Sequence, residues 1–547
     1  MRIVVFTADP GLERSVWWSM MQGTPGLTHV LVCRKVFSPR PRDVWRRFRR
    51  NVRKHGLIFI PFRAGLLAGT LVRRLVARPA PAPPVPASAP CEEIEALDLN
   101  APDVVARVAA WGADLGLSIG APVLKRPLFG LPRLGTINLH LGKTPDYRGA
   151  PPGFWELWTS AAEIGATIHM VDDGLDTGPV LEQLVAPLYP DDTPSVALAR
   201  AEELGRIAFA RALERASRGD LATKAQPGGG RTFRFPTVAQ HLRLALRVAT
   251  RRAARRWGRP SYAPKVIGTF LALYLLRPAR DLWWSLRRRH PVRVFNFHRV
   301  TFLCRDGMTV PPPVCRRQVE YVRRTHDVVS LERALELLGS GARLRRPAAV
   351  LTFDDGYRSV YDAARPAFAS LGVAGCCFLS TDLVSTDRRF GHDADNPVRQ
   401  HLGVMTWEEV VELRAAGWSV GAHGATHARL SACDADALRY ELEAPLAALR
   451  SRLGLERVAL AYPFGGRADI TPEALALARA RGYTACLSDF GGHNTPPADP
   501  FTLRRIELGG DHDTLMWKAR VRGIDFGAWR DERAWLAAQS GRGNSSA

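Results

Sequence analysis

Ala348-Ala349-Val350-Leu351-Thr352-Phe353-Asp354-Asp355-Gly356 is the stretch on which the fold turns. An apolar run of strand length stops at two adjacent carboxylates and a glycine, where the backbone can turn sharply. On either side, Phe295-Asn296-Phe297-His298 and Gly375-Cys376-Cys377-Phe378-Leu379 read as further strands. Ser330–Leu338 and Thr406–Ala416 carry helical patterns. Repeated strand-then-helix units beginning at Val292 predict a parallel sheet, open or closed into a barrel.

Adjacent carboxylates can divide their labour, one binding a metal and the other accepting a proton from water. Downstream, His423-Gly424-Ala425-Thr426-His427 sets two imidazoles four residues apart, a spacing that can bring both rings onto one ion. Two His and a carboxylate with open positions suit Zn²⁺, with Fe, Co and Ni left open. Such an ion polarises an amide carbonyl and lowers the pKa of its water to about 7.

These motifs resemble those of the NodB-type polysaccharide deacetylases, carbohydrate esterase family four. The similarity runs from Val294–Arg299 through Thr352–Gly356 and His423–His427 to Ala461-Tyr462-Pro463-Phe464-Gly465. It implies a distorted (β/α) barrel, Asp354 as base, and Asp355, His423 and His427 as metal ligands. Two departures stand out. Ala461 replaces the Arg that braces the base in many members, and no Leu-x-His motif supplies a proton donor after residue 430. Arg504 or Arg505 could brace Asp354, His493 or His512 could donate the proton, and His298 could line the site.

The N-terminal half carries a different signature. In Ile137-Asn138-Leu139-His140, strand alternation puts Asn138 and His140 on one face and Ile137 and Leu139 in the core. Standing alone, the pair would read as a satisfied polar couple at a strand end. As chemistry it suits acyl transfer to an amine: His140 removes the amine proton and Asn138 stabilises the oxyanion, worth about 3–4 kcal/mol of barrier. Asp176, in Leu175-Asp176-Thr177-Gly178, could orient His140 or tune it, with Pro145–Gly149 and Gly174 shaping the rim.

Residues 113–183 resemble the formyltransferase family of methionyl-tRNA and nucleotide-sugar formyltransferases. Gly135–His140, Tyr147-Arg148-Gly149, Gly165–His169 and Leu175–Gly178 carry the likeness. It implies a Rossmann-like domain, 10-formyltetrahydrofolate as donor, and Asn138, His140 and Asp176 as the catalytic set. His169 reads as a structural or rim residue. The loop Leu141-Gly142-Lys143-Thr144-Pro145 departs from the usual turn, and no evident tRNA-binding barrel follows.

The chain has 547 residues, too many for one ordinary core. The expected α/β architecture is a formyltransferase-like domain over 1–230, a basic amphipathic segment over 231–290, and a deacetylase-type barrel over 291–535. The first domain carries a basic and Pro-rich insertion over about 42–90, and regular patterning resumes near Asp103. The net charge of +23 admits nucleic acid, an anionic membrane surface or a phosphorylated substrate. Arg243, Arg247, Arg251 and Arg255 form a helical stripe, and an apolar run over 266–276 precedes Trp283-Trp284 and Arg287–Arg289. That run is too short to span a bilayer. It suits a helix in the membrane interface or one packed between domains, while the Arg stripe could also be an ordinary solvated face.

Eight dispersed cysteines without a C-x-x-C pair and a start that lacks a signal-peptide pattern predict a reducing, cytoplasmic setting. Together these features predict a bifunctional enzyme acting on the acyl group of a nucleotide-linked or lipid-linked amino sugar, peripheral on an anionic membrane. Two other readings remain open. One half could be a binding or scaffold module, or the Arg clusters could bind RNA for aminoacyl-tRNA formylation, although nucleic acid is the less favoured partner.

Overall fold

The computed structural model describes residues 1–37, scattered positions between 42 and 60, and residues 89–257, 264–510 and 514–524. Most of the basic insertion and His512 lie outside the described residues. The chain divides into two compact units, Met1–Gly258 and Arg259–Ala547.

The first unit is built on β1 (Arg2–Thr7), β2 (His29–Lys35), β3 (Cys91–Ala96), β4 (Leu115–Ser118), β5 (Thr136–His140), β6 (Arg148–Gly149), β7 (Glu163–Met170), β8 (Val180–Pro187) and β9 (Thr232–Phe233). Its main sheet has the order β3-β2-β1-β4-β5-β7-β8. Pairing is parallel from β3 to β5 and antiparallel from β5 to β8. The order reverses between β1 and β4, which is the Rossmann-like arrangement. Among the described residues β3 begins at Cys91, before the expected Asp103, and adds an edge strand. Alternating charge in Cys91-Glu92-Glu93-Ile94-Glu95 hid that strand, because only Ile94 in that run is buried.

The helix Val238–Trp257 belongs to this unit and does not form a separate linker. Leu244 and Val248 are buried against Phe154, Leu157 and Ile164. Three of the four arginines of the stripe contact protein, while Arg243 is exposed. Arg247 donates to the carbonyls of Leu157 and Trp158, Arg251 to that of Pro190, and Arg255 pairs with Asp191.

The second unit contains β10 (Val292–Phe297), β11 (Arg299–Val300), β12 (Thr309–Val310), β13 (Asp327–Val328), β14 (Ala348–Phe353), β15 (Cys376–Leu379), β16 (Ser419–Ala422), β17 (Ala459–Ala461), β18 (Ala485–Leu487) and β19 (Arg505–Glu507). The sheet runs β18-β17-β16-β15-β14-β10-β19, with β13 against the start of β14, and every pairing is parallel. A parallel bridge from Leu487 to Leu503 brings the two ends together, so the sheet nearly closes into a distorted barrel. The expected helices form where sequence capping places them. Ser330 caps Leu331–Gly339, and Thr406 with Glu409 makes a capping box on Trp407–Ala415. The helix Pro264–Arg287 precedes the barrel. Among the described residues, no helix is long and apolar enough to cross a membrane.

Candidate active sites

In the first unit, β5 presents Asn138 and His140 on one face, as alternation requires. The antiparallel register sets His169 of β7 opposite Asn138 and Thr167 opposite His140. Asp176 enters from the turn between β7 and β8 with a left-handed φ of 56°, unusual outside glycine. Asp172 fixes that turn by accepting from the Gly174 amide and the Thr177 hydroxyl. The Asp176 carbonyl accepts from Arg148 and Gln226, and its carboxylate accepts from the Gly149 amide at 2.9 Å.

His140 Nε2 lies 2.7 Å from the Tyr147 carbonyl, so the neutral ring carries its proton there. This leaves Nδ1 as the basic atom, 3.5 Å from Asp176 Oδ2. Burial pulls the His140 pKa below the ordinary histidine value, against the opposing pull of Asp176. Burial pushes the Asp176 carboxyl up, but the neighbouring His169, the His140 charge and the Gly149 amide outweigh it and hold the group at about 2. The ionised carboxylate is therefore placed to stabilise an imidazolium on His140. Gly142 permits the close passage of this loop. A Cβ there would lie 2.5 Å from His140 Nε2 and 2.7 Å from the Tyr147 carbonyl oxygen.

The Asn138 amide nitrogen contacts His169 Nε2 at 3.0 Å and Asp176 Oδ1 at 3.2 Å. His169 Nδ1 faces the Met170 carbonyl at 2.8 Å, so Nε2 is the acceptor. An oxyanion must displace one of these partners to receive an Asn138 hydrogen bond. His169 is thus buried within the cluster and not on the rim; a structural residue was the other alternative the sequence left open. Glu156, buried and pushed up to about 7, lines a recess with His140, Tyr147 and Phe233. Tyr147 and Phe233 also line a cavity of about 580 Å³ with Lys143, Glu163 and Arg231.

In the second unit the polar groups gather at the C-terminal ends of the barrel strands, where parallel barrels place their chemistry. Asp354 and Asp355 follow β14, His423 follows β16, and His298 follows β10. Asp355 takes a left-handed φ of 72° and Gly356 one of 77°, bending the chain over the strand end. Its Oδ1 lies 3.4 Å from His423 Nε2 and 3.2 Å from His427 Nε2. Asp355 is fully buried, yet neither of its carboxylate oxygens has a hydrogen-bond partner among the described residues. A buried carboxylate in that condition, facing two imidazole nitrogens, is a donor set that fits a cation. One ligand atom from each of the three residues lies within 4.8 Å of the others.

The supporting contacts fix these ligands. His423 Nδ1 faces the Ala461 carbonyl at 2.8 Å, leaving Nε2 free to coordinate. Glu441 holds the turn between the histidines by accepting from the Ala425 and Thr426 amides and the Thr426 hydroxyl. Burial drives His423 down to about 4, and the imidazoles, His427 foremost, hold the buried Asp355 well below the carboxylate range.

Arg505 grips Asp354 through two parallel hydrogen bonds of 2.7 Å, and Asn296 adds a third at 3.0 Å. Burial raises the Asp354 carboxyl, but the Arg505 charge outweighs it and keeps the group ionised. Arg505 rather than Arg504 is therefore the brace, since Arg504 lies over Phe490. His298 Nε2 stands 4.0 Å from Asp354 Oδ2, and its buried Nδ1 has no hydrogen-bond partner among the described residues. His493 is placed elsewhere. It packs on Trp284 beside Asn494, which bridges Val292 at the opposite end of β10.

Sequence reasoning missed two further groups. His392, from a short turn between β15 and β16, stands 3.6 Å from Asp355 Oδ2 and contacts the Tyr357 hydroxyl at 2.8 Å. Asp489, beyond β18, is pushed up to about 7 by burial despite Arg505.

With this geometry in hand, family comparison separates the halves. Residues 75–213 match the formyl transferase model, and residues 341–486 match polysaccharide deacetylase. Each half of the chain thus matches a different family model. The first span holds Asn138, His140, His169 and Asp176, and the second holds Asp354, Asp355, His423 and His427. Among curated relatives, the methionyl-tRNA formyltransferase of Aromatoleum aromaticum is 36% identical over 142 residues, covering 26% of this chain and 42% of that protein. That of Synechococcus sp. is 30% identical over 133 residues, covering 24% and 41%. The chain thus spans about two fifths of the length of these relatives. Among solved structures, IcaB from Ammonifex degensii is 22% identical, covering 43% of this chain and 98% of that one at a TM-score of 0.35. A sugar N-formyltransferase from Shewanella sp. is 15% identical, covering 45% and 87% at a TM-score of 0.30.

Proposed function

We propose that the chain edits the N-acyl group of an amino sugar, placing a formyl group through its first unit and hydrolysing an amide through its second. The carrying observation is the orphaned Asp355 carboxylate between His423 and His427, found in the same chain as a complete Asn138–His140–Asp176 cluster. Both polar sets are assembled, which argues against either half being a mere scaffold.

In the first unit the donor is 10-formyltetrahydrofolate. Asn138 donates to the developing oxyanion, His140 Nδ1 takes the amine proton, Asp176 stabilises the resulting imidazolium, and that proton passes to the tetrahydrofolate nitrogen as its bond to the formyl carbon breaks. In the second unit Asp355, His423 and His427 would hold a divalent cation, expected to be Zn²⁺, which would supply Lewis acidity toward the amide carbonyl and lower the pKa of water. Asp354, kept ionised by Arg505, takes a proton from the attacking water. His298 returns a proton to the departing amine.

The substrate is a nucleotide-linked or lipid-linked amino sugar handled in the cytoplasm, with the chain peripheral on an anionic membrane. Internal contacts of Arg247, Arg251 and Arg255 weigh against RNA recognition by that stripe. The test is mass spectrometry of candidate amino sugars incubated with the full chain, 10-formyltetrahydrofolate and Zn²⁺. Gain of a formyl group on a free amine, and loss of an acetyl or formyl group from an N-acylated sugar, are the expected results. No change in either substrate set would refute the reading.

A further inference from the structure

The N-terminal ends of the barrel strands, opposite the metal-type site, enclose a second polar space. A cavity of about 200 Å³ is lined by four arginines (Arg293, Arg345, Arg346 and Arg522), by His290 and His326, and by a single carboxylate, Asp281. That carboxylate is already engaged by Arg277 and Arg280. Arg346 reaches Asp327, and Arg522 donates to the Tyr321 hydroxyl. Arg293 is the anomaly. Only 2% exposed, it contacts His326 Nε2 at 2.9 Å and the Arg522 carbonyl at 3.5 Å, while its Nε has no partner among the described residues. A buried guanidinium facing more arginines is costly unless an anion joins it. Burial foremost, with the Arg280 charge, pulls its pKa down to about 9, and Asp281 offsets this only in part.

One wall of the cavity is the helix Pro264–Arg287, which contributes Asp281, Trp284 and Ser285. Its outward side is apolar. Leu275, Leu282 and Leu286 are 76%, 59% and 76% exposed, with Leu271 and Trp283 beside them. Positions 271, 275, 282 and 286 recur at helical spacing, so they share one side. A helix that turns leucine and tryptophan outward next to a cationic hole matches an acyl-chain and headgroup boundary, not water.

We propose that this cavity binds the phosphoryl group of an anionic phospholipid while the helix Pro264–Arg287 lays its leucine face in the bilayer interface. The inference rests on the peripheral-membrane reading above and gives it a defined headgroup site. Arg293 and Arg522 supply charge-assisted hydrogen bonds to phosphoryl oxygens, and Arg345 and Arg346 close the mouth.

Sedimentation of the full chain with phosphatidylcholine vesicles containing phosphatidic acid, or phosphatidylserine at matched surface charge, tests this. Preference for phosphatidic acid is expected. Arg522→Gln or Arg345→Gln, each confirmed folded by circular dichroism, should lower the partition coefficient about fivefold. Arg439→Gln, outside the cavity, should retain the preference, and Leu282→Gln with Leu286→Gln should remove binding. Vesicle binding that is indifferent to Arg522 and Arg345 would leave the membrane reading standing and overturn the headgroup site. Absence of vesicle binding would overturn both. Stabilisation by inorganic phosphate without vesicle binding would reassign the cavity to a soluble phosphate and overturn the lipid proposal.

Discussion

On the proposed reading the two sites face the same demand, charge gathering on a carbonyl oxygen, with opposite treatment of their own polar atoms. In the first unit the Asn138 amide is engaged by His169 and Asp176, and the Asp176 carboxylate by Asn138 and the Gly149 amide. In the second, both oxygens of Asp355 face imidazoles but lack hydrogen-bond partners among the described residues, while the neighbouring Asp354 is fully clamped by Arg505 and Asn296. The first site is electrostatically complete as it stands, and catalysis there means exchanging one hydrogen bond for another. On the proposed reading, a cation completes the second. Chemistry that needs a Lewis acid leaves a buried carboxylate open, and chemistry that needs a neutral donor does not.

The largest expected effect separates the sites by metal. Asp355→Ala, or a chelator, should lower amide hydrolysis by about a thousandfold, the rate equivalent of several kcal/mol of lost charge stabilisation. Metal analysis should show loss of the ion, and formyl transfer should be untouched. Equal sensitivity of formyl transfer to the chelator would break the contrast. Next, Arg505→Leu leaves Asp354 buried and unpaired, so urea unfolding should show a loss of about 3–5 kcal/mol. Hydrolysis should fall with it, because the Asp354 carboxyl rises once the guanidinium no longer holds it down.

Asn138→Ala should reduce kcat for formyl transfer by about 10²–10³ with hydrolysis unchanged, as measured by separate assays on one preparation. The smallest effect concerns pH. Burial holds His140 below the ordinary histidine value, so the acidic limb of kcat/KM for formyl transfer should lie below that value. Asp176 raises His140, hence Asp176→Asn should move the limb further down and lower the plateau. The hydrolysis profile should not move. A limb that stays in place would show that Asp176 does not govern His140.

What the sequence disclosed follows the range of the forces involved. Alternation within β5 is local, so Asn138 and His140 were legible as a pair. The turn at Asp354-Asp355-Gly356 and the four-residue spacing of His423 and His427 were equally local. His169 was not legible as part of the cluster, because only the antiparallel register between β5 and β7 sets it opposite Asn138. Its signal was the alternation of Thr167 and His169, which matches that of Asn138 and His140 once the two strands are paired. Arg505 reaches Asp354 because β19 pairs with β10, which pairs with β14, a consequence of barrel closure that no local spacing encodes. The sequence left Arg504 and Arg505 both open, and side-chain direction at the start of β19 decides between them. The Arg stripe over 243–255 showed helical periodicity but not its partners, which are mostly backbone carbonyls without a sequence signature.

The most direct test of the whole account follows one nitrogen through both sites. An N-acetylated amino sugar labelled with ¹⁵N would be incubated with the full chain, Zn²⁺ and 10-formyltetrahydrofolate, and the products resolved by mass spectrometry. The native chain should give a ¹⁵N-formamido sugar, Asn138→Ala should accumulate the free ¹⁵N-amine, and Asp355→Ala should leave the starting material untouched. Formation of the formamido sugar by the Asp355→Ala chain, or the absence of any product from the native one, would contradict this sequence of reactions.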